Sequence, residues 1–185
     1  MEILEHIFNR RSIRSYIDKE VEEEKIQQLL KAAMAAPTAC NNQPWEFIVV
    51  NDREILGRLK EQLVFGRYNA PLAIVVCGNM KIAKGGLENY WVQDCSAAME
   101  NILLTATGLG LGSIWIGVYP LPSVIKPVSE ALNIPDHVTP LGIAYIGYTN
   151  IKPEPRTQYN EKRIYWQQYD PTRKHRARPK NLKYL

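Results

Sequence analysis

Three short stretches of this chain carry side chains able to do chemistry. Residues 10–14 read R-R-S-I-R, which gathers Arg10, Arg11 and Arg14 around the hydroxyl of Ser12. Guanidinium groups stay charged at any working pH and pair with oxyanions, so the set suits a phosphate. A solvated basic face is the plainer alternative, and the central Ser and the lack of acids beside the cluster favour the anion site. Residues 36–45 read A-P-T-A-C-N-N-Q-P-W, with amides at Asn41, Asn42 and Gln43 beside Thr38. Amides offer donors and acceptors together, the set that matches a heterocycle edge in which an N–H lies between two carbonyls; Pro, Thr and Asn also build ordinary turns. On these residues alone, both readings stay open.

The third stretch, T-G-L-G-L-G-S-I-W-I-G at 107–117, invites a dinucleotide-binding reading and fails it. Ser113 stands where a third glycine is needed, and these glycines follow a helix and precede a strand, the reverse of the phosphate-binding turn. Ending a helix and starting a tight turn accounts for Gly108 to Gly112. Gly117 is different, because at the end of a strand a missing side chain lets a planar ligand approach the backbone. His6, His137 and His175 form no hydrolase or metal motif, and Asp94 and Glu100 face different sides of one helix. Cys40, Cys77 and Cys95 are 37 and 18 positions apart without a C-x-x-C pair, which argues against a disulfide framework, a zinc site and an iron–sulfur cluster. Reaction chemistry then falls to an organic cofactor.

The elements that must position these residues follow from hydrophobic period. Ile3, Leu4, Ile7 and Phe8 make one face of a short helix ending at Asn9. A second helix is expected after Asp18, carrying Ile26, Leu29, Leu30, Ala33 and Met34 and stopping before Pro37. Strands are expected at 46–50, 72–77, 113–118 and 141–148, with helical patterns between them, the longest from about Leu87 to Thr107. This alternation predicts an α/β or α+β sandwich around a central sheet. After Tyr148 the chain turns polar and proline-bearing, and the apolar triplet Ile164, Tyr165 and Trp166 is expected to pair with a sheet edge, of its own chain or of a second subunit.

With 45% hydrophobic and 23% charged residues in 185, the composition is that of one globular domain. The net charge of +4 is local: residues 171–185 hold six Lys or Arg and no acid, leaving 17 basic against 19 acidic residues elsewhere. The basic tail reads as a solvated end or an arm on a partner subunit, and no recognition module for nucleic acid accompanies it. No apolar run approaches the roughly 18 residues of a membrane span, and the start resembles no signal peptide, so a cytoplasmic location is expected.

The pieces R-R-S-I-R, A-P-T-A-C-N-N-Q-P-W-E-F-I-V-V, Y-W-V-Q-D-C-S-A-A-M-E-N-I-L-L-T-A-T-G-L-G-L-G-S-I-W-I-G and P-L-G-I-A-Y-I-G-Y, in that order, resemble the FMN-dependent nitroreductase family over residues 1 to about 166. The resemblance implies an α+β fold with a mixed central sheet flanked by helices. It implies an interlocked homodimer with FMN at the subunit interface, a domain at 1–166 and a basic tail at 167–185. Arg10 and Ser12, with Arg11 beside them, would hold the phosphate, and Arg14 would approach the pyrimidine edge. Pro37, Thr38, Ala39, Asn41 and Gln43 would reach the flavin from the other subunit, Thr38 replacing the family's usual Ser. Backbone at Ile116, Gly117 and Val118 would lie beside the flavin N5. Arg156, with Arg163 behind it, would give a second phosphate contact.

Phe65, Tyr68, Tyr90 and Trp91 are the aromatic candidates for an acceptor pocket, with core packing as the alternative for Trp91. The implied activity is ping-pong hydride transfer from NADH or NADPH through FMN to nitroaromatics, quinones or related small acceptors. Because the chain is short beside larger members, two alternatives stand with it: a specialised member that dehalogenates, dehydrogenates or fragments flavin, and a flavin-binding protein without turnover.

Overall fold

The computed structural model describes residues 3–63 and 65–173. Val64 of the V-F-G-R-Y-N-A segment and residues 174–185 of the basic tail, His175 among them, lie outside the described residues. Five helices are described, α1 (Ile3–Asn9), α2 (Glu23–Met34), α3 (Arg53–Glu61), α4 (Trp91–Gly108) and α5 (Pro122–Ala131). They surround a four-stranded sheet of β1 (Trp45–Val50), β2 (Leu72–Asn79), β3 (Gly112–Gly117) and β4 (Val138–Gly147), in the order β1-β2-β4-β3. All three pairings of these strands are antiparallel. The parallel component is the isolated bridge between Ser12 and Ser113 on the outer edge of β3.

Alternation along β2 divides the core. Leu72, Ile74 and Val76 face one layer with α2 and α4, while Ala73, Val75 and Cys77 face the other with α3. Because helices cover both faces, all eight β2 residues are buried, and the strand reads in sequence as a continuous apolar run. From α4 the residues Cys95, Ala98, Met99, Ile102 and Leu103 enter the first layer, the stripe expected from their spacing. Large aliphatic side chains buried this completely each contribute about 1.5–3 kcal/mol relative to exposure.

Two differences from the sequence expectation have local causes. The second helix begins at Glu23 rather than just after Asp18, because the chain from Asp18 to Glu22 stays outside the helix and buries Val21 in the first layer. In β4, Pro140 is accommodated where the register with β2 shifts between Val76 and Cys77, skipping Leu141. The carbonyl of Leu141, freed by that bulge, accepts the N–H groups of Val118 at 3.2 Å and Tyr119 at 3.0 Å. A bulge in one strand thus fixes the path of the chain leaving β3.

The chain falls into two compact units, Met1–Pro155 and Arg156–Leu185. The first unit contains the whole core, and no described residue of the second is buried. In the second unit Ile164 to Trp166 form no strand; Tyr165 stacks on Tyr169 at 4.3 Å, and Trp166 is 80% exposed. Among the described residues, no helix is long and apolar enough to cross a membrane.

Candidate functional site

The R-R-S-I-R stretch leaves α1 and is pinned along the edge of β3. Arg10 N–H still closes the last helical turn on the His6 carbonyl at 2.9 Å, and Ile13 N–H donates to the Ser113 carbonyl at 2.9 Å. Ile13 is buried while Ser12 and Arg14 on either side are exposed, the alternation of a strand, so the hydroxyl and guanidinium point outward together. Arg14 Nη1 lies 3.3 Å from the Ser12 carbonyl oxygen. Arg11 is used within its own unit, donating to the Glu154 carbonyl at 2.7 Å. Although no acid is near in sequence, folding brings one: Glu100 of α4 sits 3.6 Å from Arg10 Nε. The cluster is therefore less positive than its sequence suggests.

The 36–45 stretch folds into a strained loop around a 3-10 turn at Ala39–Asn41. Cys40, Asn41 and Gln43 have φ of 50°, 54° and 48°, the left-handed region that costs a residue with a Cβ about 1 kcal/mol or more. Strain persists where surrounding contacts over-determine it, and here the contacts can be named. Thr38 Oγ1 accepts from Gln43 N–H at 3.1 Å, and Asn41 Oδ1 accepts from the Gln43 amide at 2.8 Å. Asn79 N–H, at the end of β2, donates to the Pro44 carbonyl at 2.7 Å. Asp94 Oδ1 accepts from Ala39 N–H at 2.9 Å.

Asp94 was passed over in sequence because it matched no catalytic pair; its work is to hold this loop. It is 5% exposed in the first turn of α4, where the helix dipole favours a carboxylate. Asn42 is a second residue that the sequence left without a role. Its Nδ2 is buried with no protein partner, so the loop keeps an unused donor.

The end of β3 supplies the third part. Gly117 is exposed, and a Cβ built there would meet nothing within 4 Å, which leaves the strand end bare to a flat ligand. Ile116 is half-buried beside it, and Gly66 packs so closely on Ile116 that a Cβ at Gly66 would fall 2.6 Å from Ile116 Cδ1. Val118 turns into the core with its N–H committed to Leu141. From Ser113, bridged to Ser12, to Gly117 the strand runs about 13 Å, so one edge offers anion donors at one end and open backbone at the other.

The four aromatic candidates do not share a pocket. Tyr68 packs in the layer of α3, while Trp91 lies in the opposite layer, 7% exposed, edge-on to Tyr119 at 4.9 Å. Trp91 also covers Gly78, where a Cβ would stand 2.3 Å from its ring. In this single chain Trp91 packs in the core, the alternative given for it. Phe65 is 82% exposed and Tyr90 ends a short 3-10 turn at Glu88–Tyr90. Arg156 and Arg163 are exposed in the second unit, the latter closing the 3-10 turn Glu161–Arg163. Burial pushes the thiols of Cys77 and Cys95 up to about 12, so both stay protonated in the core. Among the described residues, no group of three or more His, Cys, Asp or Glu is placed to hold a metal ion.

The profile of the nitroreductase family matches residues 7–65 and 65–148, spanning the arginine cluster, the strained loop and the end of β3. The chain belongs to the nitroreductase family. This family member is 50% identical over 149 residues to an Archaeoglobus fulgidus protein provisionally named NADH dehydrogenase/NAD(P)H nitroreductase, covering 80% of this chain and 85% of that one. A solved Parabacteroides distasonis structure of the same provisional name superimposes with a TM-score of 0.85 at 43% identity, covering 90% of this chain and 98% of the other. An FMN-dependent nitroreductase from Clostridium difficile gives a TM-score of 0.81 at 34% identity, covering 90% and 99%.

Within this family member the loop and the arginine cluster attach to different faces of α4. Ala39 is tied to Asp94 and Arg10 to Glu100, six residues on, which is about 9 Å along the helix and roughly 240° around it. One copy of the chain presents them apart.

Proposed function

We propose that this chain is an NAD(P)H-dependent FMN oxidoreductase that reduces nitroaromatics, quinones or related acceptors, working as a homodimer in which each flavin is shared. The observation that carries the reading is the β3 edge, where exposed Ser12 and Arg14 lie at one end and bare Gly117 at the other. Similarity to an FMN-dependent nitroreductase and to a provisionally named NAD(P)H nitroreductase supports it. The residues fit FMN: a phosphate meets Arg10 and Ser12, and a planar ring finds no Cβ at Gly117.

When bound, FMN supplies hydride transfer, taking the pair of electrons from NADH or NADPH and passing it to an acceptor in alternating half-reactions. Arg14, charged at every working pH, favours negative charge at the pyrimidine edge of the ring. Pro37, Thr38, Ala39, Asn41 and Gln43 of the other copy supply hydroxyl, amide and backbone contacts, held ready by the hydrogen bonds that fix the loop. Preorganisation of this kind lowers the ordering cost of binding. In the dimer the domain at 1–166 binds FMN, with Arg156, and Arg163 behind it, as a second phosphate contact.

The unused donor of Asn42 and the strained backbone make the same prediction about state: the loop is built for a ligand rather than for a turn alone. Incubation with FMN should give a yellow protein whose flavin absorbance bleaches with NADH or NADPH and returns with a nitroaromatic or quinone. A folded dimer that takes up no flavin overturns the reading. A yellow protein inert to both hydride donors overturns the NAD(P)H half of it.

A further inference from the structure

A cleft of about 400 Å³ opens on the opposite side of the sheet from α4, walled by α3 and by the segments around residues 16–20 and 68–71. None of the residues assigned to FMN lines it. Two cross-links hold its walls: Arg53 to Asp18 at 2.7 Å, and Lys60 Nζ to Asn69 Oδ1 at 2.8 Å.

We propose that this cleft binds a small aromatic zwitterion of the size of an aromatic amino acid. The charges come first. The Arg53–Asp18 pair is mutually neutral, whereas Lys60 and Glu20, both lining the cleft, have no ion-pair partner among the described residues. A ligand carrying one carboxylate and one ammonium satisfies both.

The space for a ring comes from Gly57. It lies inside α3, where glycine is the poorest choice after proline, and a Cβ built there would meet nothing within 4 Å. No contact within the chain therefore requires glycine at this place, and the missing side chain enlarges the cleft that Gly57 lines. Two aromatic rings, Tyr16 and Tyr68, line it as well. Tyr16 is fixed by its hydroxyl, which contacts the Ile13 carbonyl at 2.8 Å and the Tyr145 carbonyl at 3.2 Å. Rigid aromatic walls suit a flat apolar group. Tyr145, which also lines the cleft, is 1% exposed and its buried hydroxyl has no partner among the described residues.

The test uses the full-length protein with its flavin and three probes, followed by saturation-transfer NMR and calorimetry. L-Phenylalanine carries both charges, 3-phenylpropanoate only the negative one and 2-phenylethylamine only the positive one. Phenylalanine is expected to bind with a dissociation constant on the order of 1 mM or tighter, and each singly charged probe about tenfold more weakly. Gly57→Leu, which fills the open space with a better helix former, should remove the saturation transfer while leaving flavin absorbance and the thermal midpoint unchanged or the midpoint higher. Lys60→Gln and Glu20→Gln, both at exposed or half-exposed positions, should each lower phenylalanine affinity about tenfold and serve as the reading should Gly57→Leu lose its fold. No binding of phenylalanine at ~10 mM overturns the proposal. Equal binding of the three probes, or affinity indifferent to all three substitutions, overturns it as well.

Discussion

Arg10 shows how a residue's neighbours revise its sequence reading. Its guanidinium has Glu100 at 3.6 Å, both side chains partly exposed, so the pair is worth at most about 1 kcal/mol and yields to a better partner. A phosphate dianion is such a partner. Arg10→Ala should remove a charge-assisted contact of about 1.5–3 kcal/mol and weaken FMN binding roughly ten- to a hundredfold, while riboflavin, which lacks the phosphate, loses little. Glu100→Gln should do the reverse, tightening FMN by up to about fivefold as the competing carboxylate is removed. Fluorescence titration with both ligands decides the point: equal losses for FMN and riboflavin in Arg10→Ala place this residue away from the phosphate.

At the scale of the element, the 36–45 loop is held by one buried carboxylate of α4. Asp94→Ala leaves Ala39 N–H without its partner, a loss of about 1–3 kcal/mol concentrated in a segment already strained at three positions. Asp94→Asn keeps an oxygen of the same shape at the same place. The alanine variant should therefore show faster hydrogen exchange across 38–43 and weaker FMN binding, and the asparagine variant should recover most of both. Exchange rates that do not change in Asp94→Ala would mean that the loop holds its shape without the helix. Asp94 is a positioning residue on this account, acting on the ligand through Ala39 and its neighbours.

For the whole molecule, the prediction concerns two copies. α1 buries none of its residues, and Ile3, Leu4, Ile7 and Phe8 are all exposed, an apolar face that the described residues leave open. The arginine cluster and the strained loop meanwhile attach to different faces of α4. A shared site explains both features. Mixing an Arg10→Ala chain with an Asn41→Ala chain, each weak in FMN, should regenerate one intact and one doubly damaged site in the heterodimer, with flavin occupancy near half that of the wild type. Recovery should appear only after the subunits exchange; a verified heterodimer with none would put Arg10 and Asn41 on the same copy's flavin.

The four strands and the stripe on α4 were legible in the sequence, because each rests on spacing within a dozen residues. Ser12 and Arg14 flank a buried Ile13 for a reason already present in their order. Helices α3 and α5 were less plain, since Gly57 interrupts one and Pro127 lies inside the other, and both are held by packing against the sheet rather than by propensity. What only the tertiary structure decided was who stands beside whom. Glu100 is far in sequence from Arg10, and Asp94 from Ala39, yet each pair meets because α4 crosses beneath both stretches. Tyr68 and Trp91 looked alike as aromatic pocket candidates, but the sheet between them sends one to each face. Local period fixes which side of an element a residue occupies; the packing of elements distant in sequence fixes what it touches there.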